Sequence, residues 1–373
     1  MMETENKMES EEEASIHGDV LEAVFSRVPL IHLVPACHVC KAWERAVFSS
    51  LRWLNSLKPW LIIHTQTTRS PYVTTAHAYD PRSHVWIEIN RPPIMNASPL
   101  RSSHSTLLYA LSPSKFSFSF DPLHLTWHHA DSPRVWRTDP IVAAVGNRIV
   151  VAGGVCDFED DPLAVEMYDL ESRTWATCQS MPTKLKESAA STWLSVAANG
   201  RKVLVTEKSL GIMYSFDPKT KGWEGPYDLN PDPCMLSSVI AFAGDRLVLL
   251  GLIGDAETVK SVKMWEVSGE TFECREMGEM PMILVEKLRG ENWELFPIGV
   301  SSAGDLVYIY NAGEPEEVVV CEFGRDGECR WGSVRNRMVN DRNRMGRFVF
   351  TCLEVGIGDV HKALRSENWK FDG

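Results

Sequence analysis

The chain has 373 residues, room for one large β-domain with a small companion or for two or three ordinary domains. With 44% hydrophobic and 24% charged residues it has the composition of a soluble globular protein. A net charge of −12 argues against the basic footprint of a nucleic-acid binder. The longest apolar runs, such as Arg148–Ala152, fall far short of the ~20 residues a membrane span needs.

The first fourteen residues carry six Glu and no apolar stretch, so 1–15 reads as a disordered acidic tail with no export signal. Nine cysteines, an odd number, then read as reduced thiols, which places the chain in the cytoplasm or nucleus. Cys37 and Cys40 form a C-x-x-C near His32 and His38, but no second pair completes a zinc site, and no metal is expected.

Helical periodicity is confined to 19–57. Val20, Leu21, Val24, Phe25 and Val28 form an apolar stripe on a short helix that Pro29 is expected to end. A second segment holds Leu33 and Val34 until Pro35 restarts the chain. A third presents Val39, Cys40, Trp43, Val47 and Phe48. So short a head has little core of its own, and its apolar faces call for a partner.

From Val20 to Leu33 and on through Val39-Cys40-Lys41-Ala42-Trp43, this head resembles an F-box over 16–58. The resemblance implies docking on a Skp-type adaptor, with Leu21, Val28, Pro29, Leu33, Val39, Cys40 and Trp43 at the contact. One departure is His17-Gly18, where the family usually has Leu-Pro.

A repeat follows. Tyr79-Asp80, Phe120-Asp121, Tyr168-Asp169 and Phe216-Asp217 are each followed, six residues after the Asp, by Trp86, Trp127, Trp175 and Trp223. A period in this range signals a propeller or solenoid. Six apolar runs accompany it: Trp60–Ile63, Thr106–Tyr109, Arg148–Val151, Lys202–Val205, Arg246–Leu249 and Asp305–Tyr308. Worn copies are read at Trp265-Glu266…Phe272 and at Glu322…Trp331. Asp caps a tight turn, often with Pro behind it, and Trp is an apolar plate between sheets.

The pattern is similar to the kelch repeat. Only repeat three keeps its Gly153-Gly154, so a motif search would count fewer blades. The fold expected is mainly β, a six-bladed kelch-type propeller over 59–362 behind a small helical F-box, with 363–373 as a tail. Repeat one lacks its upstream strand, and Phe348–Val355 is expected to supply it and close the ring.

No catalytic residue or cofactor motif is found. His124, His128 and His129 read as surface and blade-packing residues. Loops on one propeller face carry acidic clusters (Asp157, Glu159, Asp160 and Asp161; Asp255 and Glu257; Glu314, Glu316 and Glu317). Between blades lie Arg134, Trp136 and Arg137, and then Lys184, Lys186 and Arg289. These are either solvated loop tips or a target platform, with Arg134, Trp136, Arg137, Asp157, Asp255 and Arg289 as the candidate contacts.

Head and propeller together resemble the plant F-box/kelch-repeat proteins. That family implies a non-catalytic substrate receptor of an SCF ubiquitin ligase, reaching cullin and RING through the adaptor and holding a target protein for degradation. The likeness extends to the subgroup whose targets include phenylpropanoid and flavonoid enzymes, chalcone synthase among them. A kelch scaffold outside any ligase and a propeller enzyme are the alternatives.

Overall fold

A computed structural model describes residues 18–53, 58–96, 98–104, 106–157, 160–255, 258–290, 297–324, 327–339, 346–365 and 369–371. They fall into two compact units, one within Met1–Leu57 and Gly356–Leu364, the other within Lys58–Val355 and Arg365–Gly373. The tail expected over 1–15 lies outside the described residues.

The first unit is helical: α1 (Asp19–Phe25), α2 (Leu30–Cys37) and α3 (Lys41–Trp53). Asp19 and Glu22 favour the start of α1, although Gly18, the N-cap, offers no side chain to it. Pro29 does not end α1, which stops at Phe25. It is the N-cap of α2, its φ of −55° suited to leading a chain into a helix. Pro35 does not restart the chain either: α2 runs through it. In so short a helix the missing N–H costs one internal bond, and His38 and Val39 close the end on the carbonyls of Pro35 and Ala36.

The second unit is a ring of six antiparallel sheets, four strands in each of blades two to six and five in blade one. The first strands of neighbouring blades touch around the axis: Ile141–Val145, Leu194–Ala198, Met235–Ala243, Ile298–Ala303 and Arg347–Leu353. That last strand, from the C-terminal end, pairs along Trp60–Gln66 with Ile63 opposite Phe350, so blade one takes its inner strand from the far end of the chain. The 363–373 segment expected as a tail carries regular structure at its described residues, 363–365 and 369–371. It holds the end of a helix over Ile357–Arg365, grouped with the helical unit, and Trp369–Phe371 adds a fifth strand beside Val85–Asn96.

The turns explain the repeat. Asp80, Asp121, Asp169 and Asp217 each accept, through Oδ1, a backbone N–H two or three residues on, at 2.7–3.1 Å. Four residues after each Asp the chain turns left-handed at a non-glycine, at His84, Leu125, Arg173 and Lys221. Tyr79–Trp86, Tyr168–Trp175 and Phe216–Trp223 then face each other across the hairpin with rings 5.1–5.2 Å apart. The indoles of Trp175 and Trp223 donate to the carbonyls of Asp131 and Gln179 in the preceding blade, which ties sheet to sheet.

Two copies depart. In repeat two the hairpin pairs Phe118 with His128, stacked at 5.3 Å, and Trp127 lies just before the strand. In repeat five the left-handed residue is Phe272, so the turn residue is Ser268, two positions after the expected Glu266. Ser268 Oγ accepts the N–H of Thr271 at 3.2 Å, as the aspartates do, and Cys274 stands opposite Val267 in the Trp place. Phe272 still packs on Tyr227 of the preceding blade at 4.1 Å. In repeat six Trp331 faces Cys321, the neighbour of Glu322, across the lengthened turn.

Inner strands lie at sheet edges, and side chains from adjacent blades cover them. Ser195 Oγ accepts the N–H of Ile240 at 2.8 Å, Ser103 Oγ that of Val142 at 3.0 Å, and His104 Nε2 that of Ala144 at 3.1 Å. Accepting there requires a neutral ring, and burial pushes the His104 imidazole down from 6.5 to about 4. The stability that His104 contributes is therefore complete above pH 6.5 and is lost as pH falls toward 4. His104→Gln keeps an acceptor without the titration, so its melting temperature should fall less steeply over that window than the wild type's. Superimposable profiles would refute the assignment. Val349→Pro, in the middle of the closing strand, should lower the denaturant midpoint of propeller unfolding, and an unchanged midpoint would refute the role given to that strand.

Candidate functional site

The helical unit sorts its apolar residues into two faces. Leu21, Phe25, Leu30, Leu33 and Val47 are buried, and Phe25 meets Trp43 edge to face at 5.2 Å. Val20 and Val24 on α1, Val39 beyond α2 and Phe48 on α3 point outward, with 47–62% of their surface exposed. Among the expected adaptor contacts, Val39 and Cys40 are exposed, and Val28, Pro29 and Trp43 are half-buried. Leu21 and Leu33 are core, which corrects their assignment as contacts: a side chain sealed inside the unit has no surface left to offer. Val20, Val24 and Phe48 were missed as contacts. The signal was the doubled stripe at 20/21 and 24/25, too wide for one buried face of so short a helix.

On the propeller, strands alternate in direction, so the connections after each second strand and those between blades share one face. The strongly exposed large apolar side chains described in this unit are Val155, Trp193, Leu210, Met282 and Ile283. All five sit in those connections. This face thus carries the strongly exposed large apolar side chains described in the propeller unit.

Arg137 is not a surface contact, which corrects the sequence-based expectation. It is 1% exposed and ion-paired with Glu166 at 2.7 Å, and it donates to the carbonyls of Val135, Gly153 and Ala164. Burial pulls its guanidinium down and Glu166 opposes the shift. Glu166 also accepts the N–H groups of Arg134 and Val135. This pair therefore pins the 131–140 connection, and with it Trp136. Trp136 lines a cavity of about 250 Å3 together with Pro99, Arg101, Tyr109, Leu111 and Pro113.

Gly153 and Gly154, both at positive φ, let the neighbouring connections cross: a Cβ on them would lie 2.3 Å from the Ala189 carbonyl oxygen and 2.7 Å from that of Thr138. Arg289 is half-buried and donates to the Val259 carbonyl at 2.6 Å, tying the end of α4 (Met282–Arg289) to blade five, so it is a tether before it is a contact. Asp255 is exposed in an ion pair with Lys260 at 2.8 Å. Arg134 and Asp157 are open to solvent, and Glu159 and Glu257 lie outside the described residues.

Comparison with known proteins finds matches in both units. The F-box domain family matches residues 18–55, and the Kelch motif matches 137–182, the one repeat that keeps Gly153-Gly154. The F-box/kelch-repeat protein At1g23390 of Arabidopsis thaliana is 46% identical over 95% of this chain and 94% of its own length. The chain belongs to the plant F-box/kelch-repeat family.

More distant relatives of this F-box/kelch-repeat chain include F-box/kelch-repeat protein At3g61590 of Arabidopsis thaliana, 26% identical over 80% of this chain and 79% of its own. Kelch repeat and BTB domain-containing protein 8 of Danio rerio is 26% identical over 42% of this chain and 28% of its own length.

In this fold the Arg137–Glu166 pair supports the connection that carries Trp136. Arg137→Ala should cost about 3–5 kcal/mol, the order expected when one partner of a buried pair is removed. Arg134→Ala, a few residues away at the surface, should stay within ~0.5 kcal/mol in the same denaturant titration. Equal effects would overturn the distinction.

Proposed function

We propose that this F-box/kelch-repeat chain is the substrate-recognition subunit of an SCF-type ubiquitin ligase, acting in the cytoplasm or nucleus. The observation that carries the reading is that each of the two units exposes apolar side chains of its own. One set lies on the helical unit matched as an F-box, the other on a single face of the propeller. The helical surface docks on a Skp-type adaptor and thereby on cullin and RING. The propeller face holds the target. The chain's own contribution is to concentrate target lysines near the conjugating enzyme, an effective-concentration effect that needs no bond chemistry here.

The finer reading, that the target is a phenylpropanoid or flavonoid enzyme such as chalcone synthase, rests on the sequence resemblance to that subgroup. The names of the relatives specify no target. Direct binding of purified chalcone synthase to the propeller would support it, and absence of binding by a folded, adaptor-competent chain would remove it.

The test of the main reading is capture of a purified Skp-type adaptor. Val24→Asp and Val39→Asp each place a charge on the outward surface and should abolish capture while leaving the melting transitions in place. Leu33→Asp, in the core of the helical unit, should unfold that unit. An intact chain that captures no adaptor would sink the ligase reading and leave a scaffold.

A further inference from the structure

Two guanidinium groups meet where the inner strands begin, on the loop face of the propeller, and a lysine is linked to the same carboxylate through Thr192. Arg101 opens the path of the inner strand of blade two, and Arg347 starts that of blade one. The two are brought side by side by Gln66. Gln66 lies opposite Arg347 in the sheet, and its Oε1 accepts the N–H of Leu100 at 2.9 Å. Lys208 follows the second strand of blade four, and its Nζ donates to the Thr192 carbonyl at 2.8 Å. Thr192 in turn hydrogen-bonds Asp139, the carboxylate that Arg101 also pairs with.

Asp139 and Glu207 are the carboxylates acting on this group, and both are already engaged. Asp139 accepts from Arg101, from Ser191 Oγ at 2.7 Å and from the Thr192 hydroxyl at 2.6 Å and N–H at 3.3 Å. Burial alone would raise its pKa. The Thr192 and Ser191 hydrogen bonds and the Arg101 charge outweigh burial and hold it below the usual range, so it stays ionised. Glu207 is buried and accepts the N–H of Leu210 at 2.5 Å. Arg347 is exposed but partly desolvated: its guanidinium is lowered by burial first and by the like charge of Arg101 next.

Three cations thus face two occupied carboxylates, in a chain whose net charge is −12. Beside them lies the Trp136 cavity, walled by Pro99, Leu111 and Pro113 and bounded by Arg101 itself. On the other flank Trp193 and Leu210 are exposed, the Trp193 carbonyl accepting the N–H of Lys208 at 3.0 Å.

We infer that the propeller recognises its target through a short segment that pairs an acidic side chain with a bulky apolar neighbour. The carboxylate completes the Arg101, Arg347 and Lys208 cluster, and the apolar side chain fills the Trp136 cavity. This deepens the target-receptor reading and rests on it. A carboxylate suits the site because charge-assisted hydrogen bonds to guanidinium and ammonium are strongest where water is partly excluded. A nucleic-acid backbone would need a longer cationic track than one cluster.

The experiment is selection of a random-peptide phage library on the immobilised intact chain, in parallel with the Arg347→Gln/Lys208→Gln double variant and with Trp136→Ala. The expected result on the wild type is enrichment of Asp or Glu next to Leu, Ile, Phe or Trp. Synthetic copies of the enriched peptides should bind the double variant about tenfold more weakly and lose affinity as salt is raised. Trp136→Ala should lose the apolar preference and keep the acidic one. Absence of acidic enrichment on the wild type, enrichment of apolar residues alone, or the same peptides with equal affinity on the double variant would each overturn the proposal. Melting curves show whether the variants are folded, and Lys208→Gln alone replaces the double variant if they are not. Adaptor capture by the same preparations is independent of these residues, so its failure would strike the ligase reading and not this one.

Discussion

The propeller depends on one non-local pairing, that of Arg347–Leu353 with Trp60–Gln66. Until the two meet, blade one lacks its inner strand and the ring has two open edges, each a row of unpaired backbone groups. Loop closure across nearly the whole domain is entropically unfavourable, though the cost grows only slowly with length. What offsets it is seven cross-strand pairs and the burial of Leu61, Ile63, Phe350 and Cys352 in one cluster. Closure also explains why residues from both ends of the chain share one sheet. Trp60 and Leu353 face each other, so the chain enters the ring where the closing strand ends.

The blades repeat because each hairpin meets the same requirement. A left-handed residue is needed four positions after the capping group, and His84, Leu125, Arg173, Lys221 and Phe272 all accept that conformation without being glycine. An oxygen acceptor at the start of the turn offsets that strain by satisfying backbone N–H groups. Chemistry thus conserves the turn more faithfully than letters do, and this accounts for what the sequence made legible. Four Asp–Trp copies announced the period and the fold class, and the spare strand near the C-terminus could be foreseen from counting. Repeat five was read two residues early because Trp265-Glu266 looks like the aromatic–acid pair, while the working acceptor is the hydroxyl of Ser268. In repeat two the spacing of Trp127 was kept but its pairing was not, since His128 stacks on Phe118 instead.

The candidate surfaces were less legible, for a different reason. Composition tells which residues can make a contact, but burial decides which are free to. Arg137 and Arg289 were plausible contacts by type and loop position, yet Arg137 has its donors on backbone carbonyls and a buried carboxylate, and Arg289 is tethered to a backbone carbonyl. Leu21 and Val20 are adjacent in sequence and about 100° apart on a helix, so one is core and the other surface. Nothing in the letters alone marks Trp193 as the exposed tryptophan among the plates. Its distinction is that it falls in a connection, outside the hairpin register that buries Trp86 and half-buries Trp175 and Trp223.

These constraints lead to a division of labour within each blade. Strand positions are committed twice, to the neighbouring strand and to the neighbouring blade, through indole N–H bonds and the Ser and His acceptors at the inner edge. A change there is felt around the ring. The connections on the loop face are held by hydrogen bonds of their own, among them those of the buried Arg137–Glu166 pair. A buried pair of this kind adds little net stability over an apolar substitute, but its hydrogen bonds are directional and fix the backbone that carries Trp136. The cationic groups where the inner strands begin follow the same logic. Asp139, at positive φ, is held by Ser191 and Thr192 from the next connection, so the carboxylate stays in place whether or not a ligand is bound. Arg101, with the Arg347 cation near it, is therefore already fixed in the free chain, and a ligand bound there would have less ordering entropy to overcome. Selectivity can then reside in a handful of loop side chains while the ring that carries them stays unchanged.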